Sequence, residues 1–167
     1  GETFTADTVH FSKIPKSPFA YWVGDSIRRL FVEMPSVKER GISVQHGASS
    51  KRDFRFLRLW WEVPPGIIGS SAEDTYKGRP WIPFAKGGAY SLYYSDVHLL
   101  VDWTNEAKRI KDYVLDRYPY LNGNASWIIH PENDYFRPGI TWARRTQKGL
   151  NFRAMPAGCV FSDKGPV

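Results

Sequence analysis

The sequence predicts an α+β fold: a mixed, mainly antiparallel sheet of short strands with two flanking helices. Three observations point there. Two stretches, residues 17–34 and 104–117, repeat apolar side chains at three- and four-residue spacing, the period of a helix with one buried face. Around them lie brief apolar runs closed by Pro or Gly, such as Leu57 to Val63 before Pro64-Pro65-Gly66, which suit short strands. No internal repeat or low-complexity tract is present, and short strands with two helices define an α+β domain.

Residues 1–16 read as an extended lead-in with a strand at Thr8–Phe11. Ser17-Pro18 supplies an N-cap and a first-turn proline, so a helix is expected from there to Met34, with Phe19, Val23, Ile27, Leu30, Phe31 and Met34 inward and Arg28 and Arg29 off that face. It ends before Pro35. Ile42 to His46 reads as a strand turning at Gly47, followed by a small polar loop from Ala48 to Asp53. Leu57, Leu59, Trp61 and Val63 alternate as in a strand, while Phe54 and Phe56 share the parity of Arg58, which requires a register change near Phe56. Residues 66–80 form a loop. Strands follow at Trp81 to Phe84 and Asp96 to Asp102. Thr104 or Asn105 caps a helix to about Arg117, with Ala107, Ile110 and Val114 inward and Pro119 preventing its continuation. Ser126–His130, Thr141–Arg144 and Gly158–Phe161 are further strand candidates.

Composition narrows the function. The 167 residues are 42% hydrophobic and 24% charged, ordinary for a folded domain with a core. Aromatics reach 16%, with seven Trp, and the net charge is +6, which favours acidic partners. The single cysteine, Cys159, lies in an apolar run and reads as a buried thiol, excluding a disulfide framework. His10, His46, His98 and His130 are too scattered for a metal site. No apolar run approaches a membrane span and no signal peptide opens the chain, so a cytoplasmic protein without a membrane partner is expected. The chain opens without Met and stops at Gly165-Pro166-Val167, as a fragment of something longer would.

Two basic clusters stand out. Lys51, Arg52, Arg55 and Arg58 share their stretch with one acid, Asp53, and follow Gln45-His46-Gly47. Between Phe136 and Met155, Arg137, Arg144, Arg145, Lys148 and Arg153 are interspersed with Phe136, Trp142 and Phe152 and meet no acid. Cations attract phosphates, and exposed rings stack on bases. Gln suits bidentate reading of adenine, and Arg of guanine or phosphate. A third segment, Lys86-Gly87-Gly88, has neither the Walker nor the dinucleotide spacing; it reads as a tight turn able to present backbone N–H groups to a phosphate. Solvated charge and core aromatics are the plainer alternative. No hydrolase signature is present.

Three segments together carry a resemblance: Ile42-Ser43-Val44-Gln45-His46-Gly47 with Asp53-Phe54-Arg55-Phe56 and Trp60-Trp61-Glu62-Val63; Arg79-Pro80-Trp81-Ile82-Pro83-Phe84-Ala85-Lys86-Gly87-Gly88; and Arg137-Pro138-Gly139-Ile140-Thr141-Trp142 through Phe152 to Phe161-Ser162-Asp163-Lys164-Gly165. In this order they resemble the target-recognition region of large adenine-specific DNA methyltransferases. These occur in fused type IIG restriction–modification enzymes and in BREX-type phage-defence systems, and the region is related to the specificity subunits of type I restriction systems. The resemblance runs from about Ile14 to Val167.

It implies that residues 1–167 are a single, truncated target-recognition domain of a larger bacterial protein. Such a region docks on double-stranded DNA and selects the sequence whose adenine is flipped into a separate catalytic domain of the same chain. It holds no methyl-transfer chemistry. S-adenosylmethionine and the Asn/Asp-Pro-Pro-Tyr/Phe motif belong to that other domain; Val63-Pro64-Pro65-Gly66 lacks both the polar residue and the aromatic. The implied DNA-binding candidates are Gln45, Lys51, Arg52, Arg55, Arg58, Lys86, Gly87, Gly88, Arg137, Thr141, Arg144, Arg145, Lys148 and Arg153, with no catalytic residue and no metal ligand. Two other functions remain open on the residues alone. One is a metal-dependent nuclease using Glu62, Lys86 and Asp96. The other is a glycan- or protein-binding module using exposed Trp22, Trp60, Trp81 and Tyr90.

Overall fold

A computed structural model describes residue 5 and residues 8–130 and 134–167. Residues 1–4, 6 and 7, part of the expected lead-in, lie outside the described residues. The chain forms two compact units, Gly1–Val44 and Gln45–Val167. The architecture is α+β, as the patterning predicts, with four α-helices among the described residues and a small, mostly antiparallel sheet.

In the first unit, Thr8–Lys13 is a 3-10 helix in place of the expected strand, and helix α1 spans Asp25–Glu33, starting later than Ser17-Pro18. Ser17 has φ 46°, which breaks the chain direction, and residues 18–24 fold into turns up to the extended N-cap Gly24. The cause is visible at Arg28. Its Nη2 donates to the carbonyl of Ala20 at 3.1 Å and its Nη1 meets Asp25 Oδ1 at 3.2 Å, pinning the preceding segment against the helix. Arg28 is therefore buried, whereas Phe19, Ile27, Leu30, Phe31 and Met34 are exposed, the reverse of the face expected from their spacing.

The second unit holds the sheet. Its order is β1 (Leu57–Leu59), β3 (Leu99–Asp102), β2 (Trp81–Ala85), β6 (Val160–Phe161), antiparallel except for the parallel β2–β6 pair. A separate antiparallel pair joins β4 (Gly139–Thr141) to β5 (Arg153–Met155). Helix α4 (Thr104–Arg117) supplies Ala107, Ile110 and Val114 to the core, as its period predicts, where they join Phe56, Ile82, Phe84, Val101, Val160 and Phe161. Its N-cap position is Trp103, and the buried Asp102 carboxylate accepts from the Thr104 N–H and hydroxyl, so the capping oxygen comes two residues before Thr104. Its first turn has positive φ at Asn105, Glu106 and Ala107.

The register change near Phe56 is a helical turn, α2 (Asp53–Phe56). Two residues apart on a helix point to opposite sides, so Phe56 is fully buried while Phe54 is 97% exposed. The alternation from Leu57 to Val63 holds only through Leu59. Glu62 then reaches back, its Oε2 accepting from the Leu59 N–H at 2.7 Å, and Trp60–Glu62 closes into a 3-10 turn. The loop over 66–80 contains a short helix, α3 (Ala72–Tyr76), capped by Ser71 and braced by the Asp74–Arg79 ion pair. Ala125–Trp127 is a 3-10 turn rather than a strand.

Candidate functional site

The segment Ser162–Gly165 ties distant parts of the second unit together. Ala48 pairs with Ser162; the Ala48 N–H donates to the Phe161 carbonyl at 2.9 Å and the Asp163 N–H to the Ala48 carbonyl at 3.2 Å. On its other side, the Ser162 N–H donates to the Ala85 carbonyl and the Arg144 N–H to that of Lys164. Two glycines permit this closeness. A Cβ on Gly47 would overlap the Phe161 carbonyl, and one on Gly87, at φ 57°, would lie 2.6 Å from the Lys164 carbonyl oxygen. The Gly47 loop, the Lys86-Gly87-Gly88 turn and the strand leading to Arg144 thus meet at one strap.

Side chains from those segments line two adjoining concavities. Lys51, Arg52, Lys86 and Lys164 border the first, together with Asp53 and Asp163. Arg144, Arg145 and Lys164 border the second, with Gly88 in its wall. Lys164 belongs to both. Lys86 pairs with Asp53, and Lys164 Nζ lies 3.1 Å from Asp163 Oδ2. Lys51, Arg52, Arg144 and Arg145 are exposed and form no ion pair with any described residue. Partial burial works to raise the Asp53 carboxyl, but hydrogen bonds from Lys86 and Ser50, with the Lys86 charge, outweigh it and hold the group below the ordinary aspartate range. Asp53 therefore stays ionised at neutral pH and fixes Lys86 in the wall.

The other candidates have different roles in the geometry. Arg153 is buried rather than on the surface. It sits opposite Thr141 in the β4–β5 pair, and its Nη2 and Nη1 donate to the carbonyls of Gly87 at 3.1 Å and Ala89 at 3.4 Å. It supports the Lys86–Gly88 turn from beneath. Thr141 is buried as well, and neither its Oγ1 nor Arg153 Nε has a hydrogen-bond partner among the described residues. Arg55 lies over the rings of Phe56 and Tyr113, and Arg58 over Trp81 while donating to the carbonyls of Phe54 and Leu57. Lys148 lies over Tyr90 at 5.8 Å. Gln45 Nε2 donates to Asp134 Oδ2 at 2.8 Å, and Arg137 meets the same carboxylate at 3.5 Å, so these two form a separate polar group. Lys164 joins the site although charge patterning does not single it out, because its neighbour Asp163 cancels it along the sequence. Its place at the strap is the signal.

The groups of the nuclease alternative are each engaged elsewhere: Glu62 with the Leu59 N–H, Asp96 with the Tyr94 hydroxyl, Lys86 with Asp53. Among the described residues no three His, Cys, Asp or Glu gather in a metal-holding group. The rings of the glycan alternative form no stacked platform. Trp60 meets Trp61 edge-on at 87°, and Trp81 and Tyr90 lie under Arg58 and Lys148. No helix among the described residues is long and apolar enough to cross a membrane.

A cationic face held on main-chain turns, with its acids already paired to lysines, is suited to anionic oxygens at several points at once. Comparison with known proteins gives that chemistry a setting. The chain is 28% identical over 161 residues to the adenine-specific methyltransferase PglX of Lacticaseibacillus casei (strain Zhang), covering 93% of this chain and 13% of that protein. It is 26% identical over 156 residues to the adenine-specific methyltransferase BrxX of Escherichia coli O9:H4 (strain HS), covering 93% and 12%. The chain thus resembles one segment of these methyltransferases and spans about an eighth of their length. No family model matches it.

Proposed function

We propose that this chain is the DNA-recognition part of a bacterial adenine-specific methyltransferase acting in restriction–modification or phage defence. In this reading it docks on duplex DNA in the cytoplasm and chooses the site, while S-adenosylmethionine binding and methyl transfer take place in a catalytic domain elsewhere in the same, longer protein. The observation that carries the proposal is the convergence of Lys51, Arg52, Lys86, Lys164, Arg144 and Arg145, from distant stretches of the chain, on two adjoining concavities. The similarity of nearly the whole chain to a segment of two adenine-specific methyltransferases supports the choice of DNA over other polyanions.

The division of labour follows from reach and freedom. Lys86 and Lys164, tied to Asp53 and Asp163, act as fixed charges for phosphates. Arg52, Arg144 and Arg145 are exposed forks without ion-pair partners among the described residues, the form suited to bidentate contact with a guanine edge. Gln45 is held by Asp134, so it reads a base only if that contact is exchanged. Arg153 and Thr141 act through the turn they support.

The test is binding of the 167-residue chain to duplexes selected from a random library, followed by anisotropy over a range of salt. Affinity should fall steeply with salt. Arg144→Ala with Arg145→Ala should weaken binding and reduce the logarithmic salt slope by about one for each phosphate no longer neutralised. Unchanged binding in the double variant would place the interface elsewhere, and no duplex binding by the unaltered chain would overturn the reading.

A further inference from the structure

Phe54 is the most exposed large apolar side chain of the second unit, at 97%, yet its position is tightly built. It stands on the single turn of α2. Before it, Asp53 is held by the Ser50 hydroxyl and by Lys86. After it, Arg55 lies on the rings of Phe56 and Tyr113, and Phe56 is fully buried, edge-on to Tyr113 at 5.5 Å. Beneath it, Arg58 Nη1 donates to the Phe54 carbonyl at 3.0 Å. The backbone is fixed on every side while the ring itself meets water.

The ring also occupies a particular place on the surface. It borders the cationic concavity of Lys51, Arg52, Lys86 and Lys164, and on its other side a second hollow lined by Arg58, Leu59 and Glu62. It is a ridge between the two. An apolar, planar side chain standing among cations matches one feature of duplex DNA: phosphates on the outside and, between them, base faces that become available when a step is unstacked.

We propose that Phe54 is a wedge that enters the duplex and stacks on an opened base step, while Lys51, Arg52 and Lys86 hold the flanking phosphates. This rests on the DNA-recognition reading. It adds that recognition includes local deformation of the duplex, so that site choice depends on how readily a step unstacks as well as on base edges.

The experiment uses the 167-residue chain and its Phe54→Ala, Phe54→Leu and Phe54→Trp variants on selected duplexes carrying 2-aminopurine at successive positions. Because the ring is exposed, all variants should melt like the original chain. The original chain should raise 2-aminopurine emission at one step. Phe54→Ala should abolish that signal and weaken binding about tenfold, the scale of a single base–aromatic stack, with the salt slope unchanged. Phe54→Trp should retain the signal and Phe54→Leu should retain part of it. If the original chain binds and Phe54→Ala matches it in affinity and emission, the wedge is refuted while the DNA reading stands. Weaker binding accompanied by a reduced salt slope would also refute it, by assigning the effect to phosphate neutralisation. If Phe54→Ala changes only self-association or association with a catalytic domain, the ring is a protein contact and the proposal falls. Absence of duplex binding by the original chain removes the reading beneath it.

Discussion

Arg153 Nη2 donates to the Gly87 carbonyl at 3.1 Å, joining a buried residue of β5 to the turn that presents Lys86. A guanidinium in this position orders a surface it never touches. Truncation would leave two carbonyls without a donor and an empty volume beneath the turn. Arg153→Ala is expected to destabilise the chain by roughly 2–4 kcal/mol, read by urea unfolding, because the missing charge-assisted hydrogen bonds add to a cavity. Arg153→Lys should not restore stability, since one ammonium cannot reproduce the two-armed contact with Gly87 and Ala89.

Asp53 is the acid inside the cationic concavity, and its removal should strengthen DNA binding. Asp53→Asn deletes a negative charge and releases Lys86, so affinity for random duplexes should rise several-fold and the salt slope should steepen by about one. Its effect on folding should be small. The side chain is half exposed, and such a pair contributes at most about 1 kcal/mol. The pH sign follows from its lowered pKa: burial opposes ionisation, the hydrogen bonds from Lys86 and Ser50 prevail, and the contribution is complete above the unfolded value of about 3.9 and vanishes as pH falls through the lower folded value. Acid unfolding curves of the original chain and Asp53→Asn should therefore converge at the acid end.

Cys159 is 2% exposed, and burial pushes its thiol up to about 11. At pH 8 it should stay protonated and resist a disulfide reagent such as Ellman's for as long as the fold holds, then react fully in denaturant. Rapid labelling under native conditions would contradict the packing of β6 described above.

The parts legible in the sequence are those whose pattern and packing agree. Ile110 and Val114 keep a helical period and fall in the core, and Cys159 sits in an apolar run that becomes β6. Where one tertiary contact overrides the pattern, periodicity misleads. The helix expected from Ser17 begins at Asp25 because Arg28 captures the Ala20 carbonyl, and the strand expected through Val63 ends at Leu59 because Glu62 caps it. The site is legible as charge but not as placement. Lys51, Arg52, Lys86, Arg144 and Arg145 do gather, whereas Arg153, in the same acid-free run, turns inward. Nothing in a one-dimensional charge pattern distinguishes a cation facing solvent from one facing a carbonyl. Lys164 is hidden for the opposite reason: its partner Asp163 cancels it along the chain while both line the concavity.

The strap Ser162–Gly165 also bears on how the protein is made. The stretches it joins, around Ala48, Gly87 and Arg144, leave the ribosome before it does, and each then lacks the carbonyl and amide partners that fix its position. Closure of such distant segments carries its entropic cost before its contacts form, which makes it a late event. A nascent chain that has emerged only as far as Arg153 has the residues of α4 and of three sheet strands, but its lysines and arginines are still on separate, unstitched loops. The cationic surface comes into being as a unit when residues 162–165 emerge, so a copy translated short of them has nothing with which to hold a nucleic acid in register.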